Sequence, residues 1–399
     1  MKKNLTKLPT YCFYIGLTIE LLIVLHDRSI LAPLAEGLIY RFTFALFVLA
    51  VCFTKYTKKE WLWIIAFAVF AAGMYFLTRQ NVALRAVFFV AAMRSVNIKA
   101  AMKYTFWLSL AGFLLIVTLA FLGIGREIKT TQMFREGLIE TRHDFGIGHP
   151  NTFYCMLLMT LLLLLYCYYE KLKWPAYAAL FAANIGLYLL TDSNTGFAMC
   201  SLAILIAALF YLRPGLQEKD WPYFVVMGVF LLCIAFSIWA AYWADKPHLW
   251  WPDTDTWPKI IDRLLTGRLR GLHYDRPSDS ARLSEWTLFT TNASYEMRFD
   301  MGWVRMFYWF GIIPGSLFCV GHLLLINECR RQKDYMALMM IAIVSIYTVV
   351  EGQFISLYLG RNYLLFLFGM YWGSMLRADG GEAGHWWSLW RVIWKNPAK

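Results

Sequence analysis

The sequence predicts an all-α, polytopic membrane protein of about twelve transmembrane helices, and three observations lead there. Its residues are 59% hydrophobic and 18% aromatic, with only 16% charged, more apolar surface than a soluble core of 399 residues can hide. Apolar windows close to the usual span length of about 20 residues recur along the chain. Lysine and arginine gather in every second short connection, the bias that keeps basic connections on the cytoplasmic side.

In chain order the windows are Tyr11–Leu25, Leu34–Thr54, Trp61–Leu77, Val82–Val96, Phe106–Ile124, Thr152–Tyr169, Trp174–Leu190, Phe197–Leu212, Tyr223–Trp243, Trp303–Ile326, Met336–Val350 and Tyr358–Leu376. The first follows a basic start, MKKNLTK, as a signal peptide would. No clear small-residue cleavage site appears in HDRSILAPLAEG and further windows come at once, so an uncleaved first helix is expected. The fourth window is short and holds Arg85 and Arg94. The eight cysteines lie in or beside apolar segments with no redox or metal spacing, and read as small core- or lipid-facing residues.

The basic connections carry Lys2, Lys3 and Lys7; Lys55, Lys58 and Lys59; Arg94, Lys99 and Lys103; Lys171 and Lys173; Arg213 and Lys219; and Arg330, Arg331 and Lys333. With a dozen windows both termini come out cytoplasmic, and Arg377, Arg391, Lys395 and Lys399 in the tail agree. The formal charge of +12 is then a topogenic bias. Basic residues scattered over short turns, rather than gathered on one face, point away from nucleic acid.

Two connections on the opposite side are long and charged, within what reads as one membrane domain spanning 1–399. The first covers 125–150 and the second 244–302, and loops of this length in a compact membrane protein are usually functional. In the second, KIIDRLLTGRLRGL (259–272) has near-helical apolar spacing and predicts an amphipathic helix lying at the interface, entered through the tryptophan-rich HLWWPDTDTWP. The first ends in TRHDFGIGHPN (141–151), which packs an arginine, two histidines, an aspartate, two glycines and a proline directly ahead of an apolar run. Pro150 fits the first turn of the helix that follows.

Permanent cations on the outer face, beside membrane helices, suit an anionic headgroup, because a guanidinium forks onto phosphate oxygens. A lipid-linked diphosphate is the natural ligand. No metal-binding spacing, phosphate-binding loop or dinucleotide glycine pattern is present, so no cofactor is expected and any chemistry must draw on an already activated substrate.

The FGIGHPN turn opening a span, the span closing with YLLTDSNTG, the TGRL of the second long loop and the polar junction between the last two spans together resemble the Wzy-type polymerases of capsular polysaccharide and O-antigen. The resemblance covers most of the chain through its topology. It departs at Asn194 in the Ser193–Gly196 turn, where the family often has arginine. It implies a GT-C-like, metal-independent glycosyltransferase of the bacterial cytoplasmic membrane with its site on the outer face. Such an enzyme joins oligosaccharide repeat units carried on undecaprenyl diphosphate. Its other partners are membrane lipids, a chain-length regulator and a flippase. An outer-face glycan ligase is the neighbouring reading, and a flippase of lipid-linked oligosaccharide the reading from another class. Flippases should distribute charge along a central path, whereas here the polar residues concentrate in two loops on one side.

The candidate residues divide by role. His149 is a candidate base or hydrogen-bond donor, against the plainer reading of a helix cap, and Glu351 is the second catalytic candidate. Arg142 and Arg268 are candidate diphosphate ligands, and surface ion pairs otherwise. Asn151, His273 and Tyr274 are candidate contacts to substrate, Asn151 being equally a turn residue. Arg361, with Glu351, flanks the last outer junction, where ionisable residues at span depth are costly unless used. Tyr295 and Asp300 enter the tenth window. Glu20 has no partner evident in sequence.

Overall fold

Many helix ends are set by their own residues. Thr57 and Glu60 cap one another, Thr57 N donating to Glu60 Oε2 at 2.8 Å. The side chains of Asn97 and Asp334 accept from Ala100 N and Ala337 N at 3.0 and 2.9 Å. Proline is the first or second residue of five of the described α-helices, at 9, 150, 175, 222 and 258, where its missing N–H has no partner to lose. The computed structural model describes residues 7–31, 36–133, 139–246, 256–265, 267–274, 281–290, 299–355 and 362–376.

The helices are α1 (Leu8–His26), α2 (Glu36–Cys52), α3 (Lys58–Thr78), α4 (Val82–Ala92), α5 (Ile98–Phe121), α6 (Pro150–Tyr168), α7 (Trp174–Thr191), α8 (Asn194–Leu212) and α9 (Trp221–Ala244). They continue with α10 (Trp257–Leu264), α11 (Arg268–Tyr274), α12 (Gly302–Phe310), α13 (Ile312–Gln332), α14 (Tyr335–Thr348) and α15 (Leu364–Leu376). Among the described residues eight of these, α1, α3, α5, α6, α7, α8, α9 and α13, are long and apolar enough to cross a membrane; α2, α14 and α15 are shorter apolar helices. Large apolar side chains such as Phe76, Leu189 and Leu232 lie exposed on the outside, as lipid permits. The chain is a mostly helical, multi-pass membrane protein.

The core is built on α14 and α6. Every described side chain of α14 except Ile346 is buried, and it packs on α6, α8, α9, α13 and α15. The apolar window of α6 is 67% buried, against 17% for the peripheral α7. Glycine at 196, in the first turn of α8, admits the Tyr154 ring of α6: a Cβ there would lie 2.3 Å from it.

Two local expectations are corrected. The window Trp303–Ile326 is two helices, parted at Gly311 (φ +98), where a Cβ would meet Leu288 O at 2.6 Å. Ile312 N and Ile313 N donate to Thr287 O and Leu288 O (2.9 and 3.1 Å), so the second long connection satisfies backbone groups at the break. The single helix expected over 259–272 is α10 and α11, with Gly267 between them at φ +82. On α10, Trp257, Ile260 and Leu264 form an exposed stripe at helical spacing. The first long connection contains a small antiparallel pair, β1 (Lys129–Met133) and β2 (Ile139–His143), with Thr130 opposite Arg142.

Glu20 of α1 does have a partner. Arg85 of α4 reaches its Oε1 at 2.5 Å and Thr43 of α2 donates to the same oxygen at 2.7 Å, while the Arg85 guanidinium lies over the Tyr40 ring at 4.0 Å. Pairing is how a charged residue among apolar helices is kept tolerable.

Candidate functional site

The site is assembled from the FGIGHPN turn outward. Phe145, Gly146 and Gly148 all have positive φ (53, 83 and 92°), which the two glycines adopt without cost. Asp144, buried beneath, holds the turn: it accepts from Gly146 N at 2.9 Å and from the Thr130 hydroxyl of β1. The chain then turns into α6 with His149 as N-cap, its Nδ1 accepting from Asn151 N at 3.1 Å. A ring nitrogen that accepts carries no proton, so neutral His149 bears its proton on Nε2.

The β1–β2 pair is tied to the turn between α7 and α8. His143 Nδ1 lies 3.1 Å from Leu190 O, and Arg142 pairs with Asp192 at 3.2 Å. The Arg142 side chain is 19% exposed and that of Asp192 53%. Next to Asp192, Ser193 Oγ donates to Asn151 Oδ1 at 2.9 Å, and Asn151 Nδ2 faces Glu351 Oε1 at 3.5 Å.

Glu351 lies just beyond α14, with its side chain 6% exposed. Gly302 makes room for it: a Cβ there would meet Thr348 O at 2.8 Å and Glu351 O at 2.9 Å, so α12 presses its backbone onto the Glu351 turn. Arg268, the first residue of α11, reaches in from the second long connection. Its NH2 contacts Glu351 Oε1 at 2.9 Å, its Nε donates to Val350 O at 2.6 Å, and its NH1 donates to Leu265 O at 3.1 Å. Asp300 stands 4.0 Å from the same guanidinium. Both bonds to the Glu351 carboxylate fall on Oε1; among the described residues Oε2 has no hydrogen-bond partner.

Burial pushes the Glu351 carboxyl up to about 7, with Asp300 adding to the rise and Arg268 and Arg305 opposing it. Burial holds His149 below its ordinary value, reinforced by Arg142 and Arg268 and opposed by Asp300 and Asp144. Both guanidiniums therefore act on one imidazole, although they come from different long connections. At neutral pH His149 is a neutral Nε2–H donor and Glu351 is divided between its two forms. With Nδ1 accepting from Asn151 N, neutral His149 can donate only through Nε2–H.

His273 Nδ1 sits 2.7 Å from Ala244 O, at the end of α9. The side chain of Tyr274 and all of Arg361 and Tyr295 lie outside the described residues. Ser193, Asp192 and Arg305 were missed in sequence. The sequence marks Asp192 and Ser193 only through the TDSNTG of the resemblance, and Arg305 not at all. Among the described residues no group of three or more His, Cys, Asp or Glu side chains is arranged to hold a metal.

Fold and site thus define a polytopic helical membrane protein with a buried, charged cluster at the end that carries its two long connections. Comparison with known protein families, curated proteins and solved structures finds no match.

Proposed function

We propose that this chain is an outer-leaflet glycosyltransferase that polymerises oligosaccharide repeat units carried on undecaprenyl diphosphate, for capsular polysaccharide or O-antigen. The observation that carries the reading is the meeting of Arg268, Glu351, Asn151 and Ser193, four residues from separate stretches, beside His149 at the end of the bundle bearing both long connections. The resemblance of FGIGHPN, TDSNTG and TGRL to Wzy-type polymerases supports the same reading. The basic short connections support the orientation, with this end outward across a bacterial cytoplasmic membrane. Twelve spans in a GT-C-like arrangement follow if the eight long helices, α2, α14, α15 and the short α4 all cross.

In this reading Glu351 Oε2 takes the proton from the acceptor sugar's hydroxyl as its oxygen attacks the anomeric carbon of the donor. The bond from that carbon to the diphosphate breaks, and the released oxyanion is met by Arg268 and Arg142. Nε2–H of His149 donates to a substrate oxygen. A diphosphate drawing on Arg268 loosens that guanidinium's hold on Glu351, so substrate arrival itself makes the carboxylate more basic. The α10 stripe of Trp257, Ile260 and Leu264 suits a helix lying in the headgroup layer, where a lipid diphosphate resides.

Deleting the gene in its native host and sizing the surface glycan tests the function. A single repeat unit is expected. Long chains left unattached would replace polymerase with ligase, and loss of all surface glycan with accumulation of inward-facing lipid-linked units would replace it with a flippase.

A further inference from the structure

Glu351 has two protein contacts to its Oε1, and the second is held at a distance. Ionised, the carboxylate only accepts hydrogen bonds, so Asn151 must offer it the amide nitrogen. Asn151 Oδ1 then points away, to Ser193, whose hydroxyl at 2.9 Å has a proton to give it. A flipped amide would set Oδ1 against the carboxylate. Ser193 is 2% exposed, so water does not readily replace it. Gly196, one turn further along α8, lets the Tyr154 ring sit in contact and keeps α8 at the right separation from α6.

We propose that Ser193 is a positioning residue for Glu351, its hydroxyl fixing the Asn151 amide so that Nδ2 donates to the carboxylate and favours its ionised form. The role given to Glu351 rests on the glycosyltransferase reading; the hydrogen-bond chain does not. Among the described residues the other groups bearing on Glu351 are Arg268 from α11, Asp300 ahead of α12, Arg305 on α12, and, on the apolar side, Tyr347 of α14 and Cys155 of α6. Neither Ser193 nor Asn151 carries charge, so changing them alters none of these charges. Any movement of Glu351's titration then reports the hydrogen bond.

The test is isotope-edited infrared titration of carbon-13-labelled glutamate in the purified protein, with the Glu351 band assigned by its loss in Glu351→Gln. Ser193→Ala, which removes one oxygen and adds no bulk, should move the Glu351 midpoint up by about one pH unit. Asn151→Leu should move it at least as far, and Ser193→Ala should add nothing in the Asn151→Leu background. In a polymerisation assay the Ser193→Ala rate should fall about fivefold at pH 7 and approach wild type by about pH 9. An unshifted midpoint in Ser193→Ala, or additive shifts in the double variant, overturns the positioning role. A shifted midpoint in a protein whose wild type makes no polymer upholds the positioning role and removes the glycosyltransferase reading instead.

Discussion

Arg268 and Glu351 meet at 2.9 Å with side-chain exposures of 9% and 6%; at the opposite end of the bundle Lys333 and Asp220 meet at 2.6 Å with exposures of 36% and 47%. The second pair is shorter, yet the two carboxylates move in opposite directions. Asp220 is lowered, chiefly by its hydrogen bond from Lys333 and with help from Arg330, whereas Glu351 is raised because burial outweighs Arg268. Contact geometry therefore does not distinguish a site from a surface bridge here. Desolvation does, because it leaves a carboxylate able to gain or lose a proton near neutrality.

The largest effect should come from breaking the buried pair. Arg268→Ala leaves Glu351 without its guanidinium and, on the proposed function, removes a contact to substrate phosphate. A loss of about 2 to 5 kcal/mol, or roughly 30-fold to several thousand-fold, is expected in polymerisation, with Arg268→Lys intermediate because it keeps charge without the planar fork. Near-normal chain length in Arg268→Ala would reduce the pair to a structural bridge.

Glu351→Gln keeps shape and removes the proposed base. Rates should fall by about 10² to 10⁴. The wild-type rate should rise with pH through about 7: below that pH the carboxyl is protonated and accepts no proton, above it the carboxylate is available. An ascending limb that persists in the residual activity of Glu351→Gln would assign it to another group.

Arg142 falls between the two ends, since its partner Asp192 is half exposed. If it holds a phosphate, Arg142→Ala should cost 30-fold or more in rate, as at Arg268. If it only pairs with Asp192, the cost should stay near 1 kcal/mol in thermal stability with activity retained. Measuring both quantities on one preparation separates the cases.

The smallest effect belongs to Lys333→Ala. The exposed pair with Asp220 should contribute at most about 1 kcal/mol, and polymer length should not change. A large loss of activity would mean that the two ends are coupled through α14, whose N-cap Asp334 also takes hydrogen bonds from Tyr166 and Tyr371.

The sequence revealed what depends on local chemistry. The FGIGHPN turn, with its proline and its glycines at positive φ, stands out against apolar helix, and Glu351 stands out as an acid beside a span. The Gly311 break did not, because a lone glycine is common within an apolar helix and only the packing of 287–288 against it decides the outcome. Nor was the Ser193–Asn151–Glu351 chain legible. Its members are far apart in sequence, and serine and asparagine at helix starts are ordinarily caps. Nor was the contact of His273 with Ala244 O, because a histidine's partner is chosen by tertiary packing.

The Glu20–Arg85 pair bears on how the protein is made. Helix α4 has 11 residues and carries an arginine, so alone it is a poor substrate for lateral release into lipid, where a central arginine costs about 2.5 to 3.5 kcal/mol on insertion scales. Its counter-charge sits in α1, which leaves the ribosome first. On the twelve-span reading α4 crosses, and the partners it needs there, Glu20 of α1 and Thr43 of α2, have been synthesised before it. Moving α1 to the end of the chain should then lower the yield of inserted protein, because α4 would emerge before its counter-charge.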